Sequence, residues 1–192
     1  IVGDDSAGNE LVNILGEKGI NTDLVLKRDE YTTPKQMHIS VQGDHYPKQD
    51  VLKVNTLNTL QTNPEILNQI SDSIEKLDGL AVIVLTDRIG CLVSKEFIEK
   101  IKVIAQKQNI PIIGDSENNL AQIKDFSAIT INEQESANFI NKALFDVGTD
   151  GKELLSKLEC ETVFVTQGAK GISVLSRNNP LVHLPTEAIE VY

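Results

Sequence analysis

Tryptophan is absent, and aromatic residues make up only 4% of this 192-residue chain. The interior must therefore be filled by Ile, Leu and Val, the bulk of a 40% hydrophobic composition. Cysteine is nearly absent too. Cys91 and Cys160 stand far apart in no metal-ligand spacing, so reduced thiols and a cytoplasmic location are expected. His38, His45 and His183 are scattered, which leaves no pattern for a zinc site. No apolar run approaches the ~20 residues that span a bilayer, and no signal-peptide pattern occurs within the chain. Positive charge is also short: 18 Lys and Arg against 28 Asp and Glu give a formal net charge of −10. Such a surface argues against nucleic acid and membrane as partners, because both recruit clustered cations. It leaves room for a nucleotide pocket built from backbone N–H groups.

What is present is an alternation of two periods. Apolar residues recur at helical spacing over 6–18, with Ser6 as a cap and Gly19 as a stop. A second helix is predicted from Asn63-Pro64, with the stripe Ile66, Leu67, Ile70, Ile74 and Leu77. A third starts at Ser94 and carries Phe97, Ile98, Ile101, Ile104 and Ala105 on one side. Between them lie short continuous runs, Leu80–Leu85, Ile110–Ile113, Ser127–Ile131 and Thr162–Val165, which read as strands covered on both faces. Further helices are predicted over about 133–144 and 152–158. Repeated strand–helix–strand units imply an α/β architecture with parallel strands and right-handed crossovers. Ligands in such sheets gather at the carboxyl ends of the strands. Asp87, Asp115, Asn132 and Thr166 all fall there.

One stretch differs. Residues 32–54 alternate with period two, placing Met37, Ile39 and Val41 on one side, and Gly43-Asp44 supplies a turn. This is the pattern of a half-exposed hairpin inserted between helices.

Several local patterns carry chemistry, each with a structural alternative. Asn132-Glu133-Gln134-Glu135 is a capping box at a helix start; the same carboxylate suits Mg²⁺, a hard ion that keeps much of its water. Thr166-Gln167-Gly168-Ala169-Lys170-Gly171 follows a strand. Its glycines permit either a tight hairpin or close backbone approach to a phosphate. Gly3-Asp4-Asp5-Ser6-Ala7-Gly8 reads as a turn whose Asp or Ser caps the first helix. Asp87 and Asp115 are either loop-forming residues after strands or ligand contacts. No P-loop, dinucleotide-binding glycine fingerprint or nucleophile elbow is present.

Taken in order, G-D-D-x-x-G at 3–8, N-x-x-E at 132–135 and T-x-G-x-x-G at 166–171 resemble the PfkB/ribokinase family of carbohydrate kinases. The Thr32-Thr33-Pro34-Lys35 start of the hairpin is similar to the heptose-phosphate kinase (RfaE-like) branch. The resemblance covers essentially all 192 residues and implies a ribokinase-like three-layer α/β fold. That fold has a mostly parallel central sheet, helices on both faces and a small β-lid hairpin at about 32–54. It further implies that 1–192 form part of one kinase domain. On this reading ATP and Mg²⁺ are the cofactors, and Asn132, Glu135, Thr166, Gly168 and Gly171 contact the nucleotide, with Glu135 also serving the metal. Asp87, Asp115 and Lys35 would contact the sugar, and the lid would pair two copies into a homodimer.

The family's catalytic Asp is expected beyond Tyr192, in a D-x-T-G-A-G-D segment, so no catalytic residue is assigned here. The 192-residue piece alone is expected to be inactive. The implied reaction of the parent protein is transfer of the ATP γ-phosphate to a sugar or sugar-phosphate hydroxyl, of the heptose-7-phosphate kinase kind. Two departures stand against that acceptor. Where the branch has S-D-Y-x-K-G and V-D-P-K, this chain has Thr86-Asp87-Arg88-Ile89-Gly90-Cys91 and Gly114-Asp115-Ser116-Glu117. Both aspartates are kept and both lysines are missing. The alternative is a kinase-fold protein that binds a sugar or nucleotide without phosphotransfer.

Overall fold

The structure is a computed structural model that describes residues 1–43, 46–56, 63–87, 94–116 and 120–186. Asp44, His45 and Cys91, named above, lie outside the described residues. The chain divides into two compact units, residues 1–63 and 64–192.

The first unit is built around the glycine-rich turn. Strand β1 (Val2–Gly3) pairs in parallel with β2 (Lys27–Arg28), and helix α1 (Ser6–Glu17) follows β1. The cap of α1 is Asp5, not Ser6, which is already the first helical residue. Asp5 wins because its two oxygens do two jobs: Oδ1 accepts from the Gly8 N–H at 2.8 Å and Oδ2 from the Thr33 N–H at 2.9 Å. A serine hydroxyl cannot reach both donors. The glycines here are required by packing. A Cβ on Gly8 would lie 2.2 Å from the Gly3 carbonyl oxygen, and one on Gly3 would lie 2.2 Å from that of Tyr31. Gly19, at φ +73°, ends the helix as its pattern predicts.

The N–H groups of Gly8 and Thr33 hold the Asp5 carboxyl at about 2, well below the ordinary carboxylate value. A depressed folded-state pKa stabilises the fold above the unfolded value, near 4, and that contribution is lost as pH falls through about 2. A carbon-detected titration should place the Asp5 midpoint near 2, and the Asp5→Asn variant should lack the acid-induced loosening of residues 1–33. A midpoint at the ordinary value would contradict the double cap.

Strands β3 (Lys35–Gly43) and β4 (Tyr46–Thr56) form the expected antiparallel hairpin, starting three residues later and ending two residues later than its pattern suggests. Met37 pairs with Val54 and Ile39 with Leu52. Ser40 then pairs with Asp50, so Val51 is the extra residue of a bulge. Alternation puts Met37, Ile39, Leu52 and Val54 on one side. The other side is polar: the Gln36 amide donates to Asn55 Oδ1 at 3.1 Å, and His38 bridges Asp50 and Gln36 at 2.8 and 3.0 Å.

The second unit holds α2 (Pro64–Glu75), β5 (Ile83–Asp87), α3 (Lys95–Gln108), β6 (Ile112–Ser116) and β7 (Ala128–Asn132). It continues with α4 (Glu133–Phe139), α5 (Val147–Leu158), β8 (Thr162–Thr166), β9 (Ile172–Ser176) and β10 (Val182–Leu184). These strands make one sheet in the order β5-β6-β7-β8-β9-β10. Neighbours from β5 to β8 are parallel, and β8, β9 and β10 run antiparallel in succession.

Ile129, Ile131, Val163 and Val165 are fully buried on this sheet, and register pairs Ile129 with Val163 and Ile131 with Val165. They join Ile98, Ile101 and Ile104 of α3 and Leu154, Leu155 and Leu158 of α5 in one core. The α3 stripe read from the sequence is buried throughout, with Ser94 as its cap. Aliphatic side chains dominate this core, as the dearth of aromatics requires.

Three expectations are corrected. Strand β5 begins at Ile83, not Leu80, and is not covered on both faces: it is a terminal strand of the sheet, and Val84 is 60% exposed. Helix α4 stops at Phe139 because Asn141 adopts a left-handed φ of 61°. Helix α5 starts at Val147, capped by Asp146, whose Oδ1 accepts from the Thr149 N–H at 2.9 Å. Cys160 is buried and free, and desolvation pushes its thiol up to about 11. Among the described residues no helix is long and apolar enough to cross a membrane.

Candidate functional site

The carboxyl edge of the parallel strands brings together most of the residues picked out by position. Asn132 ends β7 and Thr166 ends β8, and the two are direct partners in the ladder. Asp115 of β6 is level with Thr130, two residues short of Asn132. At ~3.3 Å per residue this sets it back by roughly 7 Å along the strand direction. Asp115 is half-buried within β6. Asp87 is the last residue of β5 and pairs with Ser116, one position beyond Asp115. Both aspartates therefore sit inside strands, where the sequence suggested residues following them.

Helix α4 starts directly on the end of β7, and its first turn is the capping box in full. Asn132 Oδ1 accepts from the Glu135 N–H at 2.8 Å, and Glu135 Oε2 accepts from the Asn132 N–H at 2.9 Å. The box fixes both side chains by one polar atom each. Among the described residues no hydrogen bond engages the Asn132 amide NH₂ or Glu135 Oε1. A donor and a carboxylate oxygen are thus held ready beside a helix N-terminus, where the backbone dipole favours negative ligands. Structure and ligand chemistry do not compete here.

After Thr166 the chain makes a 3-10 turn at Gly168–Lys170 and returns as β9. The Gln167 N–H donates to the Gly171 carbonyl at 2.8 Å, closing the hairpin. The two glycines have different jobs. Gly168, at φ +57°, has open space where a Cβ would be, whereas at Gly171, at φ +104°, a Cβ would lie 2.1 Å from the Leu184 carbonyl oxygen. Gly171 admits the chain's own backbone; Gly168 leaves room for something else.

That room is a cavity of about 560 Å³ between the start of α4, the α4–α5 loop and the β8 turn, a size in the range of small-ligand sites. Asn132, Thr166 and Gly168 line it; Glu135 and Gly171 do not. Lys35 lies in the other unit, exposed at the start of β3.

Residues that the sequence did not single out also line the cavity: Glu133, Gln167, Lys170 and the loop residues Ala143, Leu144 and Phe145. The first three occupy the variable positions inside the two motifs, and that was the available signal. The loop is pinned by Asp150, which accepts from the Asp146 N–H at 3.0 Å and pairs with Lys142 at 2.6 Å. Those contacts hold the Asp150 carboxyl below its ordinary value.

No group of three or more His, Cys, Asp or Glu able to cage a metal occurs among the described residues. One spare carboxylate oxygen in the first turn of α4, that of Glu135, fits an ion such as Mg²⁺, which keeps its waters and binds chiefly through phosphates. It does not fit a structural zinc or calcium site.

Known proteins share this fold. The profile of the pfkB family carbohydrate kinase matches residues 1–192. The bifunctional protein HldE of Pseudomonas fluorescens is 29% identical over 195 residues, covering 100% of this chain and 39% of its own. That of Syntrophotalea carbinolica is 27% identical over 127 residues, or 64% of this chain and 25% of its own. Phosphofructokinase-2 from Escherichia coli, solved in complex with fructose-6-phosphate, superposes with a TM-score of 0.75 at 18% identity, over 98% of this chain and 62% of that one. Ribokinase from Giardia lamblia gives 0.72 at 14% identity, over 98% and 58%. The chain thus spans no more than about two-fifths of these curated relatives, and its fold is the ribokinase-like α/β fold with a mixed, mostly parallel sheet. By the match along its whole length, the chain belongs to the pfkB family of carbohydrate kinases.

Proposed function

We propose that the protein is an ATP-dependent carbohydrate kinase, and that residues 1–192 supply part of one kinase domain with a lid at about 32–54. The observation that carries this reading is the ladder pairing of Asn132 with Thr166 at the mouth of a cavity also lined by Gly168. The Asn132 amide, the Thr166 hydroxyl and the Gly168 backbone would bind the phosphates and ribose of ATP. Gly171 would serve that site by letting the turn close. Glu135, with the oxygen its capping bond leaves over, would hold Mg²⁺ through water. When bound, that ion offsets charge on the transferring phosphoryl group. Asp87, Asp115 and Lys35 would contact the sugar, a role supported by their motif positions. The acceptor would be a sugar or sugar-phosphate hydroxyl of the heptose-phosphate kind.

A second reading, binding without phosphotransfer, is favoured by the two lysines missing after Asp87 and Asp115. One experiment separates them. Full-length protein with ATP and Mg²⁺ should release ADP at least about tenfold faster when the right sugar is added, because substrate completes the site. Heptose phosphates, ribose and fructose phosphates form the panel. Calorimetric binding of ATP or of a sugar with no stimulation of ADP release would support the second reading, and a protein that binds neither ATP nor any sugar of the panel would sink both.

The hairpin adds a partner, a second copy of the chain. Met37, Ile39, Leu52 and Val54 are between 39% and 54% exposed and lie together on one side. A paired apolar face of this kind invites sheet-to-sheet burial. Sedimentation should give a dimer for the wild type and a monomer for the Ile39→Lys, Leu52→Glu variant. A wild type that sediments as a monomer at tens of micromolar would refute the pairing.

A further inference from the structure

Gln167 occupies the variable position after the Thr166 of the turn, yet its side chain makes two hydrogen bonds that join three elements. Its Nε2 donates to Glu133 Oε1 at 2.8 Å, at the first residue of α4. Its Oε1 accepts from the hydroxyl of Ser173 on β9, which is 1% exposed. Ser173 Oγ in turn lies 3.0 Å from Nδ1 of His183 on β10. Donor chemistry gives this chain one direction. A carboxylate only accepts, so the amide nitrogen faces Glu133 and the amide oxygen faces Ser173. The single hydroxyl proton is then committed to Gln167, so His183 Nδ1 must be the donor to Ser173. Hydrogen bonds aligned this way reinforce one another.

Glu133 is also where a carboxylate would do harm. It lines the cavity and, unrestrained, would set a negative charge against an anionic ligand. The Gln167 amide holds Oε1, and the Lys170 ammonium stands 3.7 Å from that same atom.

We propose that Gln167 is a positioning residue for nucleotide binding: it fixes the start of α4 against the Thr166–Gly171 turn and keeps the Glu133 carboxylate turned onto protein donors. This rests on the kinase reading above. Gln167→Glu keeps the bond from Ser173 but opposes two carboxylates. Adding Glu133→Gln restores a donor–acceptor pair with its polarity reversed.

The test is steady-state kinetics on full-length protein. Q167E should raise KM for ATP about tenfold while kcat and KM for the sugar stay within about twofold, and E133Q/Q167E should bring KM for ATP back to within about threefold of wild type. A purely structural role would move melting temperature and all kinetic constants together. Unchanged KM for ATP in Q167E, or no recovery in the double variant, overturns the proposal and leaves the kinase reading standing. A wild type that binds no ATP overturns both. Should Q167E fail to fold, Ser173→Ala removes only the hydroxyl that orients Gln167. A several-fold rise in KM for ATP is then expected, and an unchanged value overturns the proposal.

Discussion

Alanine at Gly171 should cost at least about 3 kcal/mol of folding free energy, while alanine at Gly168 should cost only about 1–2. Both residues have positive φ, at +104° and +57°, so both variants pay for an unfavourable backbone conformation. Only one also suffers a collision. At Gly171 the new Cβ would meet the Leu184 carbonyl oxygen at 2.1 Å, the Thr186 nitrogen at 2.8 Å and the Pro185 Cα at 2.9 Å, all of them backbone atoms that cannot rotate away. Relief requires β10 to leave β9, which also separates His183 from Ser173. At Gly168 there is nothing within 4 Å. Urea unfolding of the two variants should show a large fall in midpoint for Gly171→Ala and a small one for Gly168→Ala. Equal midpoints would mean that the 184–186 segment does not pack over the turn.

The contrast between these glycines marks how far the sequence could be read. T-x-G-x-x-G identifies two glycines and gives no means of telling them apart. The atoms that crowd Gly171 come from residues 184–186, and sequence spacing does not say where a returning strand will pass. The α3 stripe, by contrast, was legible to the residue, because a helix covered on one face writes its burial at a fixed local period. Helix ends were less so. Leu144 continues an apolar pattern beyond α4, but Asn141 in a left-handed conformation stops the helix, and Leu144 is left 84% exposed beside the cavity. Asn tolerates that conformation without announcing it. The start of α5 was hidden by Gly148, Thr149 and Gly151, poor helix formers that Asp146 compensates by capping.

The rim itself was legible at the level of strands and not at the level of register. Apolar runs followed by polar residues locate Asp115, Asn132 and Thr166 near one edge. Only the ladder shows that Asn132 and Thr166 are level and Asp115 is set back by two residues. Glu133, Gln167 and Lys170 were passed over because motif reading ranks constant positions above variable ones. Gln167 and Lys170, at variable positions of this turn, line the cavity alongside the constant Thr166 and Gly168.

Asn132 offers the sharpest separation of folding from ligand binding, because its two amide atoms have separate tasks. Its oxygen caps α4 through the Glu135 N–H. Asn132→Ala loses that bond and should lower stability by about 1 kcal/mol, the usual cost of an N-cap. Asn132→Asp keeps an oxygen on the cap and adds a charge that the helix N-terminus favours, so its stability should stay within about 0.5 kcal/mol of wild type. The nucleotide sees the opposite ranking. Aspartate replaces the NH₂ donor with an anionic oxygen at the cavity lining, next to Thr166, where the triphosphate is proposed to lie. For this variant kcat/KM for ATP should fall about 100-fold, a loss near 2.7 kcal/mol and comparable with removing one well-placed donor to a charged group. Alanine removes the donor without adding repulsion and should fall by less. If both variants track stability alone, with Asn132→Asp as active as the wild type, the capping box is the whole role of this residue and the triphosphate lies elsewhere.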